Sequence, residues 1–504
     1  MTLELNVAVG GGAGGPAGPI EGSAEEFPAG WARAPLGELG EWFGGGTPSK
    51  KRPEFWTDGT LPWLSPKDMG PDVLAATQDL IHKSALDESA VKLVPAGSVA
   101  LVVRSGILER KVPVTYVPFE ATLNQDMKAV FPHEGIDGRW LAWAIRSQEQ
   151  YILENCRKRG TTVASLEVPW LMSTEILVPP HAEQLRVAAE IEQQIARIEA
   201  GETAARTALT NATTLAEQVT TQGSRGCLEE VELFQAALPK ADIDDGPIPD
   251  LPAGWKWARL GDIASVVGGV TKDSKRQDDP EYVEVPYLRV ANVQRGQLVL
   301  DKVTTIRVPP TKADSLYLKH GDILLNEGGD RDKLGRGWVW EGQIKNCIHQ
   351  NHVFRARVAQ DEIHPKLLAW HANSFGKAWC DRNGTQSVNL ASISLRKIKL
   401  LPVPVPPREV QEQLVKTIEL HLENVTAART TAESALSHAQ DLRAALLHAA
   451  FTGTLVPQDP ADEPASTLLD RIRAEQGTRT KKAPRKRAAR KPRPSAPGQE
   501  ELPS

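Results

Sequence analysis

The chain contains an internal repeat that is long enough to cover a whole domain. The segment FPAGWARAPLGELGEWFGGGT at 27–47 matches LPAGWKWARLGDIASVVGGVT at 251–271, and identities such as Trp31/Trp255 share an offset of 224 residues. The offset becomes 227 in a later match, between LVPPHAEQL at 177–185 and VPVPPREVQEQL at 403–414. Solenoid repeats have periods of about 20–50 residues. This much longer period therefore indicates two copies of a domain, each with its connector.

Each copy shows the same order of sequence patterns. A region punctuated by Pro and Gly carries short β-like runs, such as 99–103 and 323–325, and a Pro-Pro pair ends it. A long stretch without proline follows, in which apolar or small residues recur at spacings of three and four, the pattern of a coiled-coil helix. About 40 residues at 1.5 Å each would form a rod of roughly 60 Å. The predicted seam residues are Ile191, Ile195, Ile198, Ala205, Leu209, Ala212, Ala216 and Val219 in the first stretch, and Leu414, Ile418, His421, Val425, Ala428, Ala432, Ala435, Ala439, Leu442, Leu446 and Ala449 in the second.

The repeat predicts an α+β protein. Two homologous α/β domains would be joined by two long helices that form an antiparallel coiled coil, with a pseudo-twofold relation between the halves. The alternative is that each helix packs on its own domain. His421 would either set the helix register or tilt to the surface. The predicted segments are an unstructured Gly-rich N-terminus (1–26), domain 1 (27–180), helix 1 (181–223), a linker (224–250), domain 2 (251–407), helix 2 (408–452), a C-terminal segment (453–476) and an unstructured basic tail (477–504).

The distribution of charge is more informative than the net charge of −5. Residues 251–407 carry 23 basic and 16 acidic side chains, net +7, whereas residues 27–180 carry 16 and 18, net −2. Residues 479–493 contain nine Lys or Arg and no acid. The second domain and the tail are thus the basic parts of the chain, and the first domain has only local basic clusters at 50–52 and 157–159.

Motifs of several catalytic classes are missing from the sequence. There is no P-loop and no GxSxG, and a formal GxGxxG at 10–15 is followed at once by prolines instead of a helix. The Pro-Pro pairs lack the flanking residues of amino-methyltransferase motifs. Asp330, Asp332, Glu341 and Lys345 could form a nuclease-like cluster only on paper. These absences favour a role in binding or assembly.

The cysteines and histidines argue against a metal or disulfide framework. Cys347, His349 and His352 lack the paired spacing of a zinc site, so we expect His349 to hydrogen-bond or pack within a strand. The four cysteines are far apart, which fits a reducing cytoplasm. The sequence contains no run of 18 or more apolar residues, so no transmembrane helix is expected. No signal peptide is visible at the N-terminus either.

Several segments resemble the DNA specificity subunit of type I restriction–modification systems (HsdS-like). The resemblance covers roughly residues 27–475, and its combination with the duplication is specific. Copy one departs from it, with ERKVPV at 109–114 where copy two has DRDKLGRG. The segments are LPAGWKWARLGDIA at 251–264, LLNEGGDRDKLGRGWVW at 324–340, VPVPPREVQEQL at 403–414 and AAFTGTLVPQDPADEPASTLLDRIRAE at 449–475.

The resemblance implies a non-catalytic, cytoplasmic subunit whose two target-recognition domains bind a bipartite, gapped site in double-stranded DNA. It implies two methyltransferase subunits and restriction–translocase subunits as partners. S-adenosylmethionine, ATP and Mg²⁺ would be bound by those partners, and this chain would have no catalytic residue, cofactor or metal of its own.

Candidate DNA contacts are Lys and Arg residues in loops, for phosphates, and Arg or Asn residues at groove edges, for bases. We rank Arg331, Lys333 and Arg336 first, because they follow a Gly-Gly pair that suits a loop approaching DNA closely. Trp31 and Trp255 are predicted to anchor the domain core and not to stack on bases. The full set is Lys50, Lys67, Arg104, Arg110, Lys111, Lys158 and Arg159 in copy one, and Lys272, Lys275, Arg276, Arg289, Asn292, Arg331, Lys333 and Arg336 in copy two.

Two other hypotheses stay open at the level of sequence. The chain could be a stand-alone DNA-modifying enzyme whose motifs are unrecognised, or a coiled-coil assembly scaffold whose domains bind protein. Turnover by the purified chain with Mg²⁺ or S-adenosylmethionine would favour the enzyme. DNA affinity that falls with salt would argue against the scaffold.

Overall fold

The structure is a computed structural model that describes residues 28–158, 163–275, 277–359, 362–386 and 390–482. The N-terminus predicted to be unstructured, 1–26, lies outside the described residues, as does the tail beyond Lys482. The chain divides into two units, one made of Met1–Gly201 with His438–Ser504 and the other of Glu202–Ser437. Each unit therefore contains one copy of the repeat and one part of each long helix.

Copy one consists of short strands and helices separated by the Pro and Gly positions noted in the sequence. The bounds are β1 (Ala32–Pro35), β2 (Gly40–Gly44), β3 (Leu61–Leu64), β4 (Asp79–Ile81), β5 (Leu93–Val94), β6 (Ser98–Val102), β7 (Val114–Val117), β8 (Ala121–Leu123), β9 (Met127–Pro132), β10 (Glu175–Val178), α1 (Ser84–Glu88), α2 (Gly138–Ser147), α3 (Glu149–Asn155), α4 (Val168–Met172) and the long helix α5 (His181–Gly223). An antiparallel sheet in the order β2-β9-β6-β7 forms the centre, and β6 is buried along its whole length. A second sheet, β4-β3-β8-β5, contains one parallel pair, β3 with β8.

Copy two repeats this topology. Its main sheet has the order β14-β23-β19-β21, the counterpart of β2-β9-β6-β7, and β15 pairs in parallel with β22 as β3 does with β8. The duplication predicted from the sequence is confirmed by this shared strand order. The bounds are β11 (Leu233–Phe234), β12 (Leu251–Pro252), β13 (Lys256–Arg259), β14 (Ala264–Gly268), β15 (Val283–Leu288), β16 (Val293–Gln294), β17 (Gln297–Leu298), β18 (Thr304–Val308), β19 (Asp322–Asn326), β20 (Gly328–Gly329), β21 (Gly337–Trp340), β22 (Ile348–His349), β23 (Val353–Val358), β24 (Thr385–Gln386), β25 (Ala391–Ser392), β26 (Pro402–Val405), α6 (Leu260–Ile263), α7 (Pro310–Leu316), α8 (Pro365–Asn373), α9 (Phe375–Asn383), α10 (Leu395–Ile398), the long helix α11 (Arg408–Phe451) and α12 (Ala465–Lys482).

A glutamine near the start of each long helix ties that helix to its copy. The Gln184 side chain accepts a hydrogen bond from the Asp137 backbone N–H at 2.8 Å and donates to the Pro179 carbonyl at 3.0 Å. Gln411 accepts from the His364 N–H at 2.7 Å and donates to the Pro406 carbonyl at 3.1 Å. Both side chains are buried. Because they satisfy backbone groups that burial would otherwise leave unpaired, they fix where each helix leaves its domain.

The long helices carry a seven-residue pattern of burial, as expected for a coiled coil. The residues buried at this spacing are Ala205, Ala212 and Val219 in α5, and Ile418, Val425, Ala432, Ala439 and Leu446 in α11. The predicted seam of α11 also includes residues midway between these buried positions. At His421 and Leu442, the residue that is partly buried is the next one along the chain. His421 is exposed and Leu442 is 56% exposed, whereas Leu422 and Arg443 are half-buried. The surface position of His421, one of the two alternatives, is thus the one observed.

Contacts between the two long helices show their relative direction. In the unit that contains copy one, Arg443 of α11 forms an ion pair with Glu199 of α5 at 3.7 Å, and the later residue Ala450 shares a core with the earlier Ile191. In the unit that contains copy two, Ile418 lies against Gly223, close enough that a Cβ on that glycine would come within 2.6 Å of it. Residue numbers thus fall along α11 as they rise along α5. The predicted antiparallel coiled coil is confirmed.

The segment after α11 packs on copy one. The Ala465 N–H donates to the Gly30 carbonyl at 2.8 Å, Arg473 pairs with Glu38 at 3.0 Å, and Leu468 is buried in the core of that unit. Helix α12 continues through residues 477–482, so the prediction that these six residues lack structure is wrong. Their basic composition is also compatible with a helix, because Lys and Arg have high helix propensity.

The segment predicted as a linker, 224–250, is anchored on copy two by an ion pair between the buried Arg259 and the half-buried Asp245. The Arg259 side chain donates to both carboxylate oxygens of Asp245, at 2.7 and 2.8 Å, and to the Pro239 carbonyl. The Trp379 indole N–H also donates to Asp245, at 3.1 Å. Arg259 is only 4% exposed. The segment is therefore part of the folded unit and not a free tether.

In the described residues, no helix combines the length and the apolar character needed to span a bilayer.

Candidate nucleic-acid interface

Several loops meet at one end of the main sheet in copy one. The Asp126 carbonyl accepts backbone hydrogen bonds from Val103 and Arg104, at 2.9 and 3.2 Å. Ser165 pairs with Arg104 and accepts from the Lys158 N–H at 2.8 Å. The side chains of Thr47 and Gln125 are hydrogen-bonded to each other. We call this surface loop end 1, and it comprises residues 45–50, 103–106, 124–126, 157–158 and 163–165.

The equivalent loops of copy two meet in the same way. The Asn351 N–H donates to the Val270 carbonyl at 3.0 Å, and the Glu327 N–H donates to the His352 carbonyl at 2.9 Å. The Ile393 N–H in turn donates to the Glu327 carbonyl at 2.8 Å. We call this surface loop end 2, and it comprises residues 269–275, 327–329, 350–352, 384–386 and 390–393.

A glycine makes each loop end possible by allowing two backbone segments to touch. A Cβ on Gly45 would lie 1.7 Å from the Asn124 carbonyl oxygen, and a Cβ on Gly269 would lie 2.0 Å from that of His349. Since any side chain would clash with backbone at these positions, only glycine fits. The two glycines are related by the 224-residue offset, so the duplicated Gly-rich segment has a packing explanation.

The structure brings some of the predicted DNA contacts of copy one to loop end 1. Lys50, Arg104 and Lys158 are exposed there. Arg110 and Lys111 are also exposed and follow the 3₁₀ turn Gly106–Glu109 that leads away from it. They therefore border this surface.

Two predicted contacts of copy one stand apart from this group. The Lys67 ammonium pairs with Asp79 at 2.7 Å, and this hydrogen bond raises the pKa of Lys67. Its charge is therefore partly used within the domain. Arg159 lies outside the described residues.

In copy two, Lys272 and Lys275 are exposed on loop end 2, and Arg289 is exposed after β15. Arg276 lies outside the described residues. Asn292 is a correction to our prediction, because it is only 4% exposed. Its side chain donates to the Val299 and Lys302 carbonyls at 2.9 and 3.1 Å and accepts from the Arg289 N–H at 2.9 Å. With its amide used to hold a turn, it has no free edge for a base.

The three residues ranked first differ from what the Gly-Gly pair suggested. Gly328 and Gly329 form strand β20 and pair with β25, so they belong to a small sheet within loop end 2 and not to an unpaired loop. Arg331 forms an ion pair with Asp381, and Lys333 forms one with Asp330. Burial lowers the pKa of the half-buried Arg336, whose Nε is enclosed by protein. Arg331 and Lys333 are therefore paired with carboxylates of the domain, and Arg336 is partly buried in it. The spacing of charges in the sequence could not reveal these contacts.

Sequence reasoning missed three polar residues, two on the loop that joins β22 to β23 and Glu327 at the strand end beside it. Asn351 and His352 occupy the positions of Gln125 and Asp126 in copy one, at an offset of 226. The His352 side chain is 56% exposed, and its Nδ1 lies 2.7 Å from the Glu327 carboxylate. The sequence did contain a signal for these residues, because a pair of polar residues directly precedes both β9 and its counterpart β23.

Trp31 and Trp255 have structural roles, although neither ring is fully buried. The Trp31 indole N–H donates to the Glu183 carboxylate near the start of α5 at 3.0 Å. Burial raises the pKa of Glu183. The Trp255 ring lies against Gly226, just beyond the end of α5. Each tryptophan therefore packs its copy against one end of α5. Their rings are used in these contacts and not for stacking on DNA bases.

Both cysteines of copy two, Cys347 and Cys380, are buried in the core, and so are His349 and His371. His349 is fully buried, its Nδ1 lies 2.6 Å from the Val353 carbonyl, and burial lowers its pKa to about 4. Burial also raises the pKa of the Cys347 thiol to about 12. Among the described residues no three His, Cys, Asp or Glu side chains are grouped as a metal site would require. His349 packs in a strand, as predicted.

The chain is similar to one family along most of its folded length. The family model described as the type I restriction modification DNA specificity domain matches residues 28–205 and again 252–433. The two matches correspond to the two copies of the repeat together with parts of the long helices.

Individual relatives agree with this match. The EcoR124I/EcoR124II type I specificity subunit of Escherichia coli is 47% identical over 30% of this chain and 38% of its own length. The MjaIX specificity subunit of Methanocaldococcus jannaschii is 24% identical over 54% of this chain and 60% of its own length. These matches span less than two thirds of either relative. The StySPI specificity subunit of Salmonella potsdam is 23% identical over 92% of this chain and 99% of its length.

Two solved structures share the fold. The HsdS subunit from Thermoanaerobacter tengcongensis has a TM-score of 0.55 at 17% identity, covering 85% of this chain and 98% of that chain. A chain from a structural study of assembly and conformational transition in the type I R-M system has a TM-score of 0.61 at 17% identity, covering 85% and 99%.

Proposed function

Because the chain belongs to the type I restriction–modification DNA specificity family, we propose that it is the non-catalytic subunit that gives such a complex its DNA target. The observation that carries this proposal is the duplication of a domain whose loops converge at one end. Each loop end presents exposed Lys or Arg beside amide side chains, the combination that contacts phosphates and base edges.

Two copies that have diverged in these loops would each bind a different short sequence. In loop end 1 the loop before β9 carries Gln125 and Asp126, and in loop end 2 the equivalent loop carries Asn351 and His352. The shared strand order preserves the position of the loop while its side chains differ. The proposed target is therefore bipartite, with two unrelated half-sites and a gap between them.

The chemistry would be performed by other subunits. We propose that this chain assembles with methyltransferase subunits, two per complex, and with restriction–translocase subunits. S-adenosylmethionine, ATP and Mg²⁺ would be bound by those partners. The relatives named above support this assignment, since they are specificity subunits of restriction enzymes.

The proposal is tested by mapping methylated bases in the host genome with and without this chain. We expect a gapped adenine motif that disappears when the gene is deleted and returns when it is restored. A methylation pattern that does not change would contradict the proposal. Turnover by the purified chain alone, with Mg²⁺ or S-adenosylmethionine, would instead support the enzyme hypothesis.

A further inference from the structure

On loop end 2, the side chains of Glu327, His352 and Asn351 are linked in series by hydrogen bonds. The ring Nδ1 of His352 is 2.7 Å from the Glu327 carboxylate, and its Nε2 is 3.2 Å from the side-chain nitrogen of Asn351. The Glu327 side chain is 26% exposed and that of His352 is 56% exposed. The series thus runs outward from a half-covered carboxylate to the amide on the turn.

The backbone holds each member of this series in place. Glu327 follows the buried strand β19, and its N–H and carbonyl bond to His352 and Ile393. Asn351 donates its own N–H to the Val270 carbonyl at 3.0 Å, and a further backbone hydrogen bond of 2.9 Å closes the turn between residues 350 and 353. The side chains therefore project from a turn that is fixed on both sides.

Hydrogen-bonding chemistry determines the direction of the series. An ionised carboxylate only accepts, so His352 must donate from Nδ1 to Glu327. In the neutral ring Nε2 is then an acceptor, and it takes one N–H from the Asn351 amide. Within the described part of the chain, Asn351 retains its second N–H and its carbonyl oxygen.

That remaining pair of groups matches one base. An asparagine amide with one donor and one acceptor free can bond the N6 amino group and N7 of adenine together in the major groove. We propose that Asn351 reads an adenine in the half-site of copy two, and that Glu327 and His352 are positioning residues that hold its amide in the required orientation. This inference rests on the proposed function.

Copy one lacks this device. Gln125 stands where Asn351 stands, but its side chain is hydrogen-bonded to Thr47, and an aspartate follows it instead of a histidine. Val103 stands where Glu327 stands, since the backbone N–H of each donates to the carbonyl of the equivalent loop residue. Because position 103 carries no carboxylate and position 126 carries no imidazole ring, copy one cannot orient an amide in this way. The adenine contact is therefore assigned to copy two alone.

The test is selection of bound duplexes from a DNA library with randomised bases, using the full-length chain. We expect wild type to enrich a gapped motif. Asn351→Ala should enrich the same motif with a single adenine position relaxed by roughly 5- to 150-fold and the other half-site unchanged. His352→Ala should relax the same position by less, which a merely structural effect on folding would not do.

Asn211→Ala provides the matched control, because Asn211 is an exposed asparagine on α5, far along the chain from loop end 2. It should leave the enriched motif as in wild type. Asn351→Ala would overturn the inference if it kept full base preference, relaxed a base other than adenine, or lost all enrichment. Failure of wild type to enrich any gapped motif would count instead against the proposed function.

Discussion

At the scale of single residues, exposure separates side chains that can meet DNA from those that cannot. Arg104 is exposed on loop end 1, whereas Arg331 is already paired with Asp381 and Asn292 is buried in a turn. In the sequence, all three residues look alike, as polar side chains in predicted loops. Only its neighbours decide whether its polar groups are available to DNA.

We therefore expect Arg104→Ala to weaken DNA binding more than Arg331→Ala. An ion pair on the surface is worth about 1 kcal/mol or less, but it must be given up before Arg331 can bind a phosphate. Titrating target DNA at two salt concentrations, with wild type as reference, would measure both effects. Equal losses for the two variants would show that the Asp381 pair does not limit Arg331.

Asp245 offers a second prediction at this scale. Burial raises the pKa of Asp245, but hydrogen bonds from Arg259 and Trp379 lower it by more, and the net pKa lies below the ordinary 3.8. A carboxyl group with a lowered folded-state pKa stabilises the fold above its unfolded pKa, and this contribution is lost as pH falls through the folded value. Asp245→Asn should therefore lower the unfolding temperature near pH 7.

The cost of this substitution follows from the charge it leaves behind. Breaking a fully buried pair by removing one partner costs about 3–5 kcal/mol, because the other charge remains uncompensated. Since Asp245 is only half-buried, we expect the loss to fall below that range. Thermal unfolding followed from pH 7 to acid should show wild type and variant converging as pH drops below the ordinary carboxyl range. A constant difference across that range would rule out ionised Asp245 as the source.

At the scale of elements, the seven-residue spacing of buried side chains defines which faces of the long helices pack. Ala439 and Leu446 are 7% and 9% exposed, while Leu442 between them is 56% exposed. Apolar character alone placed all three on the seam. More than one face of α11 carries apolar side chains, and the antiparallel partner selects the face that is buried.

Leu446 and Leu442 provide a matched pair of substitutions in one helix. Leu446→Ala removes buried side-chain volume from a core and should lower the free energy of unfolding by about 2–5 kcal/mol. Leu442→Ala removes an exposed side chain and should change it by about 0.5 kcal/mol or less. Chemical denaturation of the two variants would test the register. Similar costs would place the packing face where the sequence had predicted it.

At the scale of the whole molecule, positive charge is concentrated in copy two and in the tail, and copy one has a net charge of −2. Helix α12 packs on copy one and is described as far as Lys482, and the tail follows it directly in the sequence. The tail is thus joined through α12 to the less basic copy, and its Lys and Arg residues would help to attract a polyanion such as DNA.

Removing residues 483–504 should weaken binding to all DNA sequences without changing the preferred motif. The slope of log affinity against log salt should become shallower by about 0.9 for every phosphate that the shortened chain no longer neutralises. The test compares truncated and full-length chains on specific and random duplexes over a salt series. A change in motif, or an unchanged slope, would exclude this role for the tail.

The sequence by itself determined the duplication, the two domains and the long helices. Identities at one offset, Pro-Pro stops and three-four spacing are local patterns that survive without knowledge of neighbours. The family followed from the same segments.

Only the tertiary structure decided which polar residues are free. Asn292 and Asn351 are both asparagines in loops of copy two, yet the first has its amide consumed by backbone groups and the second keeps one donor and one acceptor. Linear order does not contain this difference, because hydrogen-bond partners come from segments brought together by folding. The same reason explains the displaced seam and the paired arginine.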